Sequence, residues 1–335
     1  MYETFYGLTS KAFDLIPDPD KVYMSEAHEE ALAVLRYGVI DRKGFLLLTG
    51  GVGTGKTTLL QLLSRSLDSK VHLCLIANPT LSLNDFYYFL AAKYGLKEYE
   101  GNKARFLLEF AEFLRGCRQK GERVLLIIDE AHVLPVDLLE EVRLLSNQEY
   151  QDFGVMSVFL VGQPELNDRL ADPRLLPLRQ RIGIRFHLPP FSEEDTRRYI
   201  LFRLAKAGAQ RGDLFEAEAV RRVHAEGQGV PRLINVLCDQ ALLAGYSEGK
   251  TTIDAGVVAE CAREMRNPGA RVGHPPGAAT AEEQGAAARW PWFWLLFLLL
   301  VGGGGFFFWR HPGAWHWWLH RLMELWRRCS ARWAE

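Results

Sequence analysis

Gly50-Gly51-Val52-Gly53-Thr54-Gly55-Lys56-Thr57 has the spacing G-x-x-x-x-G-K-[ST], which puts glycines, a lysine and a hydroxyl where a polyphosphate needs them. Glycines let successive backbone N–H groups wrap phosphate oxygens, and a helix starting there points its positive end at the same charge. Lys56 would reach the β- and γ-phosphates, and Thr57 would offer its hydroxyl to Mg²⁺. These eight residues with Thr58 form the candidate ATP-binding set. The flanks fit: Phe45-Leu46-Leu47-Leu48 reads as a buried strand, and Thr58-Leu59-Leu60-Gln61-Leu62-Leu63 as a helix. A glycine-rich turn without a ligand is the plain alternative, and this strand–loop–helix context counts against it.

A phosphate loop needs a second, acidic element to hold magnesium and orient water. Val124-Leu125-Leu126-Ile127-Ile128-Asp129-Glu130 is an apolar strand ending in two carboxylates. Asp129 would join Thr57 in the Mg²⁺ shell and Glu130 would polarise the attacking water. Strand side chains alternate faces, so one carboxylate alone is expected to point along the phosphate axis. Gln163 closes another apolar run, Val158-Phe159-Leu160-Val161-Gly162, where a polar sensor could meet the γ-phosphate. Arg174, Arg179 and Arg181 lie within 172–181, and Arg232 falls in the first turn of a helix opened by Gly229-Val230-Pro231. The helix dipole opposes a cation there, so an anion facing Arg232 explains it best; an ordinary surface arginine is the alternative. Asp129-Glu130-Ala131-His132 also spells a helicase box, but no second α/β pattern follows for such a motor.

Strand candidates at 45–49, 71–76, 124–128, 155–161 and 184–188 alternate with helical patterns, predicting a parallel sheet covered on both faces. From 191 to about 267 the strand signals cease and helices follow one another. Ser192 with Asp195 forms a capping-box pattern for the first of them, and Asp254 is the expected N-cap of the last. The organisation expected is an N-terminal segment (1–41), an ATPase core (42–190), a helical lid (191–267), a Gly/Ala/Pro-rich linker (268–289), a membrane segment (290–309) and a tail (310–335). Residues 290–309 carry no charge, and 20 helical residues span about 30 Å, the thickness of a hydrocarbon core. The tail alternates tryptophans with five arginines, as an interfacial amphipathic helix or one docked on a partner protein would.

The formal net charge is −1, which gives no field toward nucleic acid. Five scattered cysteines without a CxxC pair read as thiols of a reducing compartment. No signal peptide is read at the N-terminus, which keeps the ATPase region in the cytoplasm.

With these motifs in place the chain resembles the AAA+ ATPases, and among them the general-secretion-pathway A-type (ExeA-like) ATPases. Phe5-Tyr6-Gly7-Leu8, Pro17-Asp18-Pro19, the phosphate loop, Asp129-Glu130-Ala131, Val161-Gly162-Gln163-Pro164-Glu165-Leu166, Gln180-Arg181-Ile182 and Gly229-Val230-Pro231-Arg232-Leu233-Ile234-Asn235 carry the resemblance, over about 1–267. It implies an α/β P-loop AAA+ sheet with helices on both faces, an all-helical lid and a C-terminal transmembrane helix. It further implies Asp129 and Glu130 as Walker B residues, Gln163 near sensor 1 and Arg232 as sensor 2. An arginine finger, Arg181 or Arg179, would reach a neighbour's nucleotide, hence a ring-like homo-oligomer. Secretion-type members carry a periplasmic peptidoglycan-binding domain after the membrane helix; 26 residues follow here, so that property is not carried over.

The function expected is a membrane-tethered ATPase that uses ATP and Mg²⁺ to drive or regulate assembly of an envelope secretion, polysaccharide or exosortase system. Its partners would be further copies, inner-membrane lipid and export components, with no nucleic acid. The alternatives are a slowly hydrolysing nucleotide switch that scaffolds partners, and a transposition-helper ATPase on DNA. A single C-terminal pass through the bacterial inner membrane is expected, although the arginine-rich tail outside runs against the positive-inside bias.

Overall fold

The computed structural model describes residues 2–15, 22–41, 44–96, 101–146 and 154–266. The Pro17-Asp18-Pro19 motif, the linker, the apolar 290–309 segment and the tail lie outside the described residues. No helix among the described residues is long and apolar enough to cross a membrane.

The expected strands form: β1 (Phe45–Gly50), β2 (Val71–Ile76), β3 (Arg123–Ile128), β4 (Met156–Gly162) and β5 (Ile182–Leu188). They pair in the order β2-β3-β4-β1-β5, every pair parallel. Crossover helices cover both faces of such a sheet, which is why the central strands are apolar throughout. The pleat then sorts their side chains by period two. Phe45, Leu47, Val124, Leu126, Val158 and Leu160 enter one core. Their neighbours Leu46, Leu48, Leu125, Ile127, Phe159 and Val161 enter the other.

The first core is closed by α4 (Leu83–Tyr94), α5 (Lys103–Gln119), α6 (Val136–Leu145), α7 (Glu165–Leu170) and α8 (Leu176–Arg181). The second is closed by α2 (Glu26–Ile40) and α3 (Lys56–Ser66). Gly38 on α2 exists for contact: a Cβ there would stand 2.9 Å from Leu46 Cδ1 and 3.0 Å from Phe159 Cζ. At the edge strand β2, His72 pairs with Glu122 at 2.8 Å.

A third core belongs to α9 (Glu193–Lys206), α10 (Ala217–Gly227), α11 (Pro231–Ser247) and α12 (Ala255–Arg266). Ser192 and Asp195 form the expected capping box, and Asp254 accepts from Val257 N–H at 3.0 Å. Two features depart from the sequence reading. Strand pairing does not cease after 190, because Phe215 and Ile253 form a parallel bridge that ties two loops of the helical part together. The first residues, including α1 (Tyr2–Phe5), send Tyr2, Tyr6, Leu8 and Phe13 into this helical core, whereas Ala31, Leu35 and Val39 of α2 pack on the sheet.

Phe159 is fully buried between the middle strand and α2. Phe159→Ala should cost about 3–5 kcal/mol, seen as a lower denaturant midpoint with an unchanged slope.

Candidate nucleotide site

The phosphate loop bends where glycine permits it: Gly53 has φ 76° and Gly55 φ 106°. Neither position has room for a side chain. A Cβ on Gly53 would lie 2.8 Å from Arg232 Cβ, and one on Gly55 would lie 2.9 Å from His28 Nε2. Lys56 opens α3 and is 5% exposed; its Nζ donates to the Gly50 and Gly51 carbonyls, each at 2.9 Å. Burial lowers its pKa, opposed by Glu130, Asp129 and Glu165.

Across the loop, Thr57 Oγ1 donates to Asp129 Oδ2 at 2.8 Å, and Asp129 Oδ1 accepts from Glu130 N–H at 2.9 Å. Asp129 is 3% exposed, and burial raises its pKa against those two hydrogen bonds. A hydroxyl beside a buried carboxylate is a hard oxygen donor set that suits Mg²⁺.

Glu130 is where strand alternation misleads. β3 ends at Ile128, and Glu130 takes a left-handed φ of 53° as it caps a 3₁₀ turn, Ala131–Val133. The turn, not the pleat, separates the two carboxylates. It leaves Asp129 inside and Glu130 half exposed, with Glu130 Oε2 3.3 Å from His132 Nδ1. Gln163 follows β4, and its Nε2 meets His132 Nε2 at 3.0 Å.

Lys56, Thr57 and Glu130 border a cleft of about 450 Å³, whose lining does not include Asp129, His132 or Gln163. Its lining includes the polar groups of Lys56, Thr57, Glu130 and Arg232 and the rings of Tyr23, Phe191 and Tyr199. Charged groups and aromatic rings in one cleft suit a ligand joining phosphates to a flat ring. Arg232 is exposed in the first turn of α11, and among the described residues no acid or carbonyl pairs with its guanidinium.

The arginines before β5 do not border this cleft. Arg181 Nη1 donates to Ser146 Oγ at 2.9 Å, and Arg174 pairs with Asp172 at 2.9 Å. Arg179 is exposed in the last turn of α8, and its guanidinium has no partner among the described residues.

Sequence reasoning missed the aromatic rings and His28. Tyr199 OH donates to Asn235 Oδ1 at 2.8 Å, a contact across 36 residues that no local pattern announces. His28 had a signal, Ser25 as N-cap of α2 with a histidine three residues on. A carbonyl only accepts, so His28 Nε2–H donates to Thr54 O at 2.9 Å, and Nδ1 accepts from Ser25 Oγ at 2.7 Å. The imidazole is neutral, carries its proton on Nε2 and props the phosphate loop.

An AAA domain matches residues 40–170. General secretion pathway protein A of Aeromonas hydrophila is 39% identical over 267 residues, covering 79% of this chain and 48% of that protein. The chain therefore spans about half the length of that relative. Among solved structures, Drosophila ORC bound to DNA superposes with a TM-score of 0.58 at 19% identity, over 76% of this chain and 64% of that one. Aeropyrum pernix ORC2, solved with ADPNP and ADP, gives 0.54 at 18% identity, over 76% and 72%. At such identities these two likenesses establish the fold.

Burial lowers the His28 pKa below 6.5, outweighing Thr54 and Asp195. The unfolded chain then binds the extra proton, so the stability His28 contributes is complete above pH 6.5 and is lost as pH falls through the lowered value. Asp129 shifts the opposite way at lower pH, so the difference between proteins isolates His28. The gap in melting temperature between wild type and His28→Gln should narrow on acidification below pH 6.5.

Proposed function

We propose that this chain, an ExeA-like AAA+ ATPase, hydrolyses ATP in the cleft between its phosphate loop and helical part, as a membrane-tethered subunit serving assembly of an envelope export system. One observation carries the site assignment. Thr57 and Asp129, 72 residues apart, are joined at 2.8 Å beside Lys56, with Glu130 next along the chain. A hydroxyl, an acid, a phosphate-reaching ammonium and a half-exposed carboxylate are the parts that phosphoryl transfer to water requires.

The roles follow from position. Backbone N–H groups of Gly51 to Lys56 and the start of α3 would cradle the phosphates, and Lys56 would neutralise their charge. Thr57 and Asp129 would hold Mg²⁺, which when bound spreads the developing negative charge. Glu130 would accept the proton of the attacking water, since its carboxylate reaches the cleft while that of Asp129 is buried. Arg232, packed on Gly53, would meet the γ-phosphate from the helical side. Tyr23, Phe191 and Tyr199 would enclose the base.

A residue acting on a neighbour's nucleotide has to be exposed, cationic and outside its own cleft. Arg179 meets these conditions with a free guanidinium among the described residues, whereas Arg181 is occupied by Ser146. Arg179 is accordingly the finger of a ring-like assembly. The tether is residues 290–309, read from their uncharged length; the formal charge of −1 supports no polyanion as the working partner.

Glu130→Gln should keep ATP affinity and lose about 10²- to 10⁴-fold in phosphate release, while Lys56→Ala loses affinity itself. Normal turnover by Glu130→Gln discards the base assignment. Arg179→Ala should cut turnover by about 10³ or more with ATP affinity retained, and Arg181→Ala should cost far less. A larger loss in Arg181→Ala reverses the choice, and an equal loss in both overturns it. For the tether, carbonate-washed membranes should retain the chain and release it when Leu298→Arg and Leu299→Arg add about 5–7 kcal/mol to insertion.

A further inference from the structure

His132 sits between the two groups that would read and attack the γ-phosphate, and no role assigned so far uses it. Its ring is mostly buried, with 15% side-chain exposure against 41% for Glu130. Its Nε2 is 3.0 Å from Gln163 Nε2, and its Nδ1 is 3.3 Å from Glu130 Oε2. Gln163 holds the ring at both nitrogens, its backbone N–H donating to Nδ1 at 3.5 Å and its side-chain amide meeting Nε2.

We propose that His132 is the positioning residue that couples Gln163 to Glu130, so that the sensor and the base take up their places as one unit. The proposal rests on the hydrolysis reading above and deepens it. Two further observations shape it. Gly162 leaves space for the ring, because a Cβ there would stand 3.2 Å from His132 N and 3.4 Å from Nδ1. Glu130 hangs on a left-handed turn residue, φ 53°, at the N-cap of the turn that holds His132. A carboxylate on so short a turn depends on its side-chain partner for direction. When Gln163 moves to meet a γ-phosphate, the ring that it holds moves with it, and Glu130, 3.3 Å from Nδ1, shifts in turn. The base is thereby placed according to whether the third phosphate is present. His132 touches neither water nor phosphate in this scheme; its effect is on placement.

The test uses the full chain with steady-state phosphate release and ATP binding. Displacing a catalytic group by about 1 Å costs on the order of 100-fold, so His132→Ala should lower kcat about 10- to 100-fold while KM and ATP affinity stay within about twofold. His132→Gln should restore most of the rate, since its amide can donate toward Glu130 and accept from Gln163 in a folded protein. Gln163→Ala and His132→Ala should be non-additive, the double variant resembling either single one. An unchanged kcat for His132→Ala, an effect confined to KM, no recovery with His132→Gln, or additive losses would each overturn the coupling. Wild type and Glu130→Gln run alongside test hydrolysis itself, so a failed bridge is distinguished from a failed ATPase assignment.

Discussion

The hydrogen bond from Thr57 to Asp129 sets the terms for the rest of the molecule. It joins the first turn of α3 to the residue that follows β3, and the parallel registers bring both to the same end of the sheet: Leu160 is level with Ile128 on one side and with Leu47 on the other. Because β4 lies between β1 and β3, the residue that follows β4 must emerge between loop and acid. That residue is Gln163. Strand order thus makes a three-part site at the carboxyl ends of the strands, where open parallel sheets bind ligands.

The same arrangement buries charge. Lys56 and Asp129 are 5% and 3% exposed, and desolvation moves both pKa values toward neutral forms. Buried charges survive when hydrogen bonds replace water. Asp129 accepts from Thr57 and the Glu130 backbone; Lys56 donates to two carbonyls of its own loop. A phosphate entering the loop therefore competes with those carbonyls for the ammonium. The exchange favours phosphate, because a charged acceptor in this low-dielectric site outweighs a neutral one.

How far the sequence could be read depends on the range of the contacts involved. The five strands were legible to within one or two residues, because burial on both faces leaves continuous apolar runs. Asp129, Lys56 and Thr57 were legible because the motif encodes a backbone shape as well as side chains. Glu130 lines the cleft, but strand alternation does not place it there; a left-handed turn residue does, and such a turn has no signature in a carboxylate. Tyr23 and Tyr199 were invisible because the contacts that place them at the cleft join segments far apart in the chain, and for His28 the N-cap Ser25 marked the helix start but not the bond to Thr54. The choice between Arg179 and Arg181 was open in sequence, where the hydrogen bond from Arg181 to Ser146 Oγ leaves no trace.

Three segments close the cleft, and they are bonded to one another more tightly than a loosely hinged cap would be. Arg203 of α9 donates to Ala12 O at 2.6 Å and Asp14 O at 2.8 Å, holding the N-terminal segment on the helical part. The Gly229 carbonyl accepts from Phe191 N–H at 2.8 Å, and a Cβ on Gly229 would stand 2.1 Å from Phe191 O, so this contact admits no larger residue. His28 fixes the other end of the N-terminal segment to the phosphate loop. Nucleotide-driven movement of the helical part must then carry Ala12 and Asp14 with it or break the Arg203 bonds. The described residues before β1 thus hold both partners of the cleft, the helical part through Arg203 and the phosphate loop through His28.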